Sequence, residues 1–260
     1  MPELPEVEAA AAIARRVLVG CTIADVLTLH PRFAHAWTAA ARRHGRGRRI
    51  DAVTRRGKSQ LLHLDDGTTL VVHFRLDGDW VVDAATDAPP AHARWALALR
   101  DGRRLVLTDP RALSTVTRHA PGRPPRLALG PEADDPALTG AQLRARLAGR
   151  RAPIKQALLD QRILAGLGNI YAAEALWRAR IDPRRRAGAL DAAEVTRLLR
   201  GIRAALADGV AHLGRYRTGA RREPWRVYDR AGAACRRCGV RIATLAQGGR
   251  TTYWCPGCQR

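Results

Sequence analysis

The sequence predicts an α+β chain of two domains. An N-terminal helix leads into a β-sandwich, and a helical domain follows that ends in a cysteine-clamped β-hairpin. Three observations carry this expectation. Short apolar or alternating runs fill residues 22–117, five prolines punctuate 121–136, and beyond them the apolar period lengthens to that of a helix until two Cys-x2-Cys pairs close the chain. A length of 260 residues agrees, since one domain usually takes ~100–200. The expected boundaries are 1–120 for the sandwich, 121–136 for the linker, 137–226 for the helices and 227–260 for the hairpin.

The first helix is expected over 4–19. Pro5 suits a first turn, Glu6 and Glu8 face the positive end of the macrodipole, and the alanines from Ala9 favour helix. Strands are expected over 23–29, 50–54, 60–64, 69–74, 80–82, 95–99 and 105–108. Asp66-Gly67 and Asp101-Gly102 mark tight hairpins, and strands this short and this regular imply a sandwich or a barrel. After the linker, Thr139 is placed to cap a helix over 140–147, and further helices are expected over 154–164, 170–180 and 192–211. Gly166-Leu167-Gly168-Asn169 lies between two of them. Such a turn presents backbone N–H groups to an anion, with Asn169 as a cap or an extra phosphate donor, although an ordinary helix connection has the same composition.

Cys235, Cys238, Cys255 and Cys258 form two knuckles sixteen residues apart, the spacing of a four-thiolate zinc site with no open position. The intervening sequence reads as two strands meeting at Gln247-Gly248-Gly249-Arg250, so the metal clamps a hairpin with Arg250 near its tip. One structural zinc is the cofactor expected.

The formal charge is +21, with 45 basic against 24 acidic side chains. That excess points to a polyanion, most simply nucleic acid, and aromatics at 5% favour a duplex over stacked single strands. Among the basic residues only Lys58 and Lys155 are lysines, two places where a compact ammonium stands in a chain otherwise committed to guanidinium. No apolar run approaches the ~20 residues of a membrane span and no apolar stretch follows a basic start, so no membrane partner and a cytoplasmic location are expected.

The opening MPELPEVE is the most distinctive stretch. Removal of Met1 would leave a secondary amine at Pro2, beside carboxylates at Glu3 and Glu6. An α-amino group ionises near pKa ~8 against ~10.4 for lysine, and a neighbouring helix N-terminus disfavours its protonated form, so it serves as a nucleophile at neutral pH. Helix-start chemistry alone also explains the glutamates.

These residues together resemble the formamidopyrimidine-DNA glycosylase family, the group shared with endonuclease VIII. PELPEVE at 2–8, RRGKSQLL around Lys58, TDPR ending at Arg111, LLDQRILAGLGNIYAAEAL around Asn169, and the hairpin ending YWCPGCQR carry the resemblance, which spans essentially the whole chain. It implies a helix-two-turn-helix domain with a zinc-finger hairpin, and a monomer acting on damaged double-stranded DNA at a bacterial nucleoid. The damaged nucleotide is flipped from the stack, Pro2 attacks its C1′, and the strand is then broken by β,δ-elimination. Glu3 would be the acid for the opening sugar and Glu6 would orient the amine. Lys58 falls on the family's active-site phosphate lysine, and Asn169 and Arg250 on its other phosphate contacts, with Lys155 at a family lysine position. Arg111 would fill the vacated space, while His73, Leu76 and Leu113 meet the duplex beside it.

In three places the chain departs from the purine-repair branch. His73-Phe74-Arg75-Leu76 stands where that branch usually has a methionine, Leu113 stands where it has phenylalanine, and 209–225 looks short of a threonine-rich lesion cap. The start motif favours excision of formamidopyrimidine and 8-oxoguanine. The alternatives are an endonuclease VIII-like choice of oxidised pyrimidines and a catalytically silent DNA-binding zinc protein.

Overall fold

The computed structural model of the chain describes residues 1–216 and 225–260, the side chains of 212–216 excepted. It divides into two compact units, one of residues 1–2 and 6–127 and one of residues 3–5 and 128–260.

Helix α1 (Leu4–Leu18) starts at the expected prolyl turn and buries Val7, Ala10, Ala11, Ala14, Val17 and Leu18, a stripe repeating every three or four residues. In the first unit it packs with two antiparallel sheets. One has the order β1-β6-β7-β5, from β1 (Ile23–Thr28), β5 (Asp79–Ala84), β6 (Ala93–Leu99) and β7 (Arg103–Thr108); the other is β2-β3-β4-β8, from β2 (Ile50–Arg56), β3 (Ser59–Leu64), β4 (Thr69–His73) and β8 (Thr115–His119). Trp95, Leu97, Leu105 and Leu107 of the first sheet share one core with Ile50, Leu62, Leu70 and Val72 of the second, which makes the unit a sandwich. The turns at Asp66-Gly67 and Asp101-Gly102 are hairpins, as expected.

Two features of this unit depart from expectation. Short helices α2 (Pro31–Ala34) and α3 (Ala39–Gly45) interrupt the β pattern after β1, each entered through a side-chain cap, from His30 and Thr38. Strand β8 is also additional; of its residues only Val116 is fully buried, so alternation is nearly silent there.

In the second unit, α4 (Gly140–Leu147) begins with a complete capping box. Thr139 accepts from the Gln142 N–H and Gln142 accepts from the Thr139 N–H, an arrangement that contributes about 1 kcal/mol. Helix α5 (Ile154–Leu159) stops short of the expected 164. There Gln161 hydrogen-bonds the carbonyls of Leu159 and Leu167 and accepts from the Gly166 N–H, so side-chain partners replace the helical ones. Helices α6 (Asn169–Ala179) and α7 (Ala192–Tyr216) follow, then β9 (Ala243–Gln247) and β10 (Arg250–Trp254). Residues expected in the linker join this unit from Ala128 onward. Gly130 donates to Gln161 O, Ala133 donates to Ala165 O, and Ala133 is fully buried. No helix among the described residues is long and apolar enough to cross a membrane.

Candidate active site and nucleic-acid interface

The candidate residues fall into two groups, one in each unit. In the first unit Pro2 is half-buried immediately before α1, and Glu6 lies in the first turn of that helix. Glu8 on the same helix is ion-paired with Arg55 at 2.8 Å and Arg15 at 3.4 Å. Lys58 sits in the two-residue loop between β2 and β3, where Arg56 pairs with Ser59, and is almost fully buried. A lysine held in so short a loop is a fixed point charge.

His73 ends β4 opposite Ser59, next to Lys58 in sequence. Its Nδ1 accepts from the Arg75 N–H at 3.0 Å, which assigns the ring proton to Nε2. Burial pushes its pKa down to about 4, with Arg75 and Lys58 adding to the effect, so the imidazole is neutral at pH 7 and presents Nε2–H as a donor. The chain then turns with Arg75 in the left-handed region (φ 58°) and exposes Leu76.

Arg111 and Leu113 stand on the segment between β7 and β8. The Arg111 guanidinium is exposed and its Nε lies 3.0 Å from Asp77. An exposed pair of this kind is worth only ~0–1 kcal/mol, so Arg111 is available to another partner. Beneath them Asp109 is fully buried and accepts from the backbone N–H groups of Arg111, Leu113 and Ser114 and from the Ser114 hydroxyl. Sequence reasoning singled out neither Asp109 nor Ser114.

In the second unit Glu3 is buried, and its carboxylate accepts the N–H of Gly168 at 2.8 Å, Ile170 at 2.9 Å and Tyr171 at 3.2 Å. These are the orphan donors at the start of α6, a helix with no side-chain cap of its own. The N–H groups that the glycine turn presents are therefore taken up within the chain, by the Glu3 side chain. Asn169 does not cap the helix. Its Nδ2 donates to Thr251 O at 3.0 Å, and its Oδ1 is buried with no hydrogen-bond partner among the described residues.

Lys155, expected among the DNA contacts, has no exposed surface. Its Nζ donates to Thr252 Oγ1 at 2.6 Å and to Thr251 O at 3.2 Å, tying α5 to β10. Burial and the Arg250 charge lower its pKa to about 8, against an opposing pull from Glu3. Lys155 and Asn169 thus share one carbonyl of the strand that begins with Arg250. Gly248 (φ 55°) and Gly249 (φ 71°) form the two-residue turn before Arg250, which is exposed at the hairpin tip.

The sulfurs of Cys235, Cys238, Cys255 and Cys258 lie within 4.8 Å of one another, and two pairs are 3.5 and 3.9 Å apart. Tetrahedral zinc with Zn–S bonds of ~2.3 Å requires separations near ~3.8 Å, so these residues fit one structural zinc. Trp177 donates to Cys235 Sγ and carries the Arg237 guanidinium 3.8 Å over its ring, which joins this site to α6. Glu174, also on α6 and unanticipated from sequence, accepts the N–H groups of Arg226, Val227 and Tyr228, the segment entering the hairpin. Burial raises its pKa against those hydrogen bonds. Of the stretch expected to decide lesion capping, 217–224, which includes Arg221 and Arg222, lies outside the described residues.

Three family models match: the formamidopyrimidine-DNA glycosylase N-terminal domain over residues 1–116, its H2TH domain over 129–218, and a zinc finger found in FPG and IleRS over 232–260. The formamidopyrimidine-DNA glycosylase of Chloroflexus aggregans is 43% identical over 282 residues, covering 100% of this chain and 98% of its own. That of Rhizorhabdus wittichii is 39% identical, with 100% of both chains covered. Among solved structures, Lactococcus lactis FPG in complex with DNA containing FAPY-dG superposes with a TM-score of 0.88 at 26% identity over 99% of this chain and 100% of that one. MutM in complex with DNA containing carbocyclic 8-oxo-G gives 0.89 at 27% identity, with 100% of both chains covered.

Proposed function

Because this chain belongs to the formamidopyrimidine-DNA glycosylase family, we propose that it excises formamidopyrimidine and 8-oxoguanine lesions from duplex DNA and then cuts the strand, with Pro2 as nucleophile. It is a DNA glycosylase of base excision repair, a family in which abasic-site lyase activity is typical. It works as a monomer in the bacterial cytoplasm, at the nucleoid.

Once Met1 is removed, the Pro2 nitrogen attacks C1′ of the flipped nucleotide and the C1′–base bond breaks, the electron pair leaving with the base. The substituted amine must lose a proton to become an iminium, and the ring oxygen must gain one as the sugar opens. Glu3 is the group suited to move that proton, since three backbone N–H groups fix its carboxylate. Two eliminations then release the 3′ and the 5′ phosphates. Glu6 orients the amine. Lys58, Asn169 and Arg250 hold the flanking phosphates, which positions the strand without reading sequence. Neutral His73 adds an Nε2–H donor. Arg111, Leu76 and Leu113 enter the space that the nucleotide leaves. The hairpin zinc is structural and keeps Arg250 in place.

The observation that carries this assignment is the buried Glu3 carboxylate at the start of α6, a single residue after Pro2. Borohydride trapping tests it. Wild-type protein should form a covalent adduct with lesion DNA, and Pro2→Gly should lose most of it; equal trapping by both would remove Pro2 from the reaction. Duplexes each carrying one defined lesion decide the substrate. Release of oxidised pyrimidines in preference to 8-oxoguanine would move the chain to the endonuclease VIII-like alternative.

A further inference from the structure

Asp109 has no exposed surface, carries a charge, and has no part in the chemistry above, yet its carboxylate accepts four hydrogen bonds. It accepts from Arg111 N at 3.0 Å, Leu113 N at 2.7 Å, Ser114 N at 2.7 Å and Ser114 Oγ at 2.7 Å. The single Ser114 hydroxyl proton is shared between Asp109 Oδ2 and, at 3.0 Å, the carbonyl of Phe74, in the turn that presents Leu76. Gly78 closes that turn by donating to Phe74 O, and a Cβ at 78 would stand 2.4 Å from Ser114 Oγ. On the surface above, the Arg111–Asp77 pair bridges the same two segments at 3.0 Å. Two further arginines brace the segment from below, Arg94 through the carbonyls of Asp109 and Pro110 and Arg32 through that of Ala112.

We propose that Asp109 is the positioning residue of the wedge. Acting with Ser114, it holds the 74–78 turn and the 109–114 segment as one rigid body, so that Leu76, Arg111 and Leu113 enter the duplex together. The proposal rests on the glycosylase reading and deepens it. Ala112 occupies the left-handed region (φ 51°), a strained conformation for a residue with a side chain, and the hydrogen bonds to Asp109 on either side of it oppose relaxation. Those hydrogen bonds also hold the Asp109 carboxyl below the usual carboxylate range, although burial acts in the opposite direction. Asparagine has nearly the same shape, but its amide would turn an N–H toward donors that need an acceptor, leaving at least one of them unpaired.

The test compares Asp109→Asn, Ser114→Ala and wild type on two duplexes with the same lesion. One has a normal base opposite the lesion, and the other has an abasic analogue there, so that little stacking has to be displaced. On the intact duplex both variants should lose kcat/KM by about ten- to a hundredfold, as expected when a positioning group is misplaced by around an ångström. On the duplex without an opposing base they should stay within about threefold of wild type. A fluorescent base analogue opposite the lesion should report slower wedge entry for both variants. Equal losses on both duplexes would mean a general folding role and overturn the proposal, as would unchanged activity on both. If Asp109→Asn does not fold, Ser114→Ala, which keeps the carboxylate, decides by the same criterion. Wild type that releases the base from neither duplex defeats the glycosylase reading itself, and the wedge proposal with it.

Discussion

Glu3 and Gly168 occupy one space: a Cβ at position 168 would lie 2.3 Å from the Glu3 Cδ, so the buried carboxylate reaches the start of α6 only because residue 168 has no side chain. Gly168→Ala must displace either the backbone or Glu3, at a cost of ~1–3 kcal/mol. It should lower the unfolding midpoint in urea and abolish strand cleavage, although residue 168 is not a reacting group. Glu3→Gln should cost a similar ~1–3 kcal/mol, because one amide orientation or the other sets an N–H against a helix N–H.

Lys155 and Arg250 are separated by their salt dependence. Arg250→Ala removes an exposed charge from the hairpin tip, so the slope of log affinity against log salt for duplex DNA should fall by ~1. Lys155→Met removes a charge with no exposed surface, so affinity should drop while the slope stays as in wild type. Titrations of DNA binding at several salt concentrations check both outcomes. A slope reduced equally by the two variants would place Lys155 among the phosphate contacts.

His73 gives stability a pH dependence of definite sign. Its pKa is about 4 in the folded chain, against an ordinary 6.5. Between these values the unfolded chain binds a proton that the folded chain refuses. The contribution is therefore complete above pH ~6.5 and is lost as pH falls toward ~4, at up to ~1.4 kcal/mol per unit. His73→Asn should flatten the fall in Tm between about pH 7 and about pH 4.5. An unchanged slope would place the proton elsewhere.

One zinc per chain should be found by elemental analysis of the native protein, and Cys255→Ser should lose it. Structural zinc contributes its binding energy to folding, so chelation should release the hairpin and weaken duplex binding while the sandwich keeps its own thermal transition. Calorimetry with and without chelator separates the two.

Much of the fold was legible in the sequence because it repeats a simple period. Strands β3, β4 and β7 announce themselves by apolar runs beside Asp-Gly turns, and the Thr139 cap and the four cysteines are recognisable from spacing alone. The stopping point of α5 was not legible, since it depends on Gln161 bonding carbonyls on both sides of a turn. Strand β8 hides behind threonines, Arg118 and His119. In the site, Pro2, Glu3 and Lys58 could be picked out by motif. Lys155 stood out as one of two lysines, but only the fold shows its ammonium bonded to Thr251 and Thr252. Asp109 left no trace beyond its place in TDPR, since a carboxylate that bonds backbone N–H groups requires no particular partner residues.

The Asp109 framework has a consequence for how such a protein diversifies. It is assembled from peptide groups, one carboxylate and one hydroxyl, and the side chains of Leu76 and Leu113 are no part of it. Those two tips can be exchanged for other apolar groups while the mount beneath them stays unchanged. Tips of different shape are then alternative fittings on a common holder.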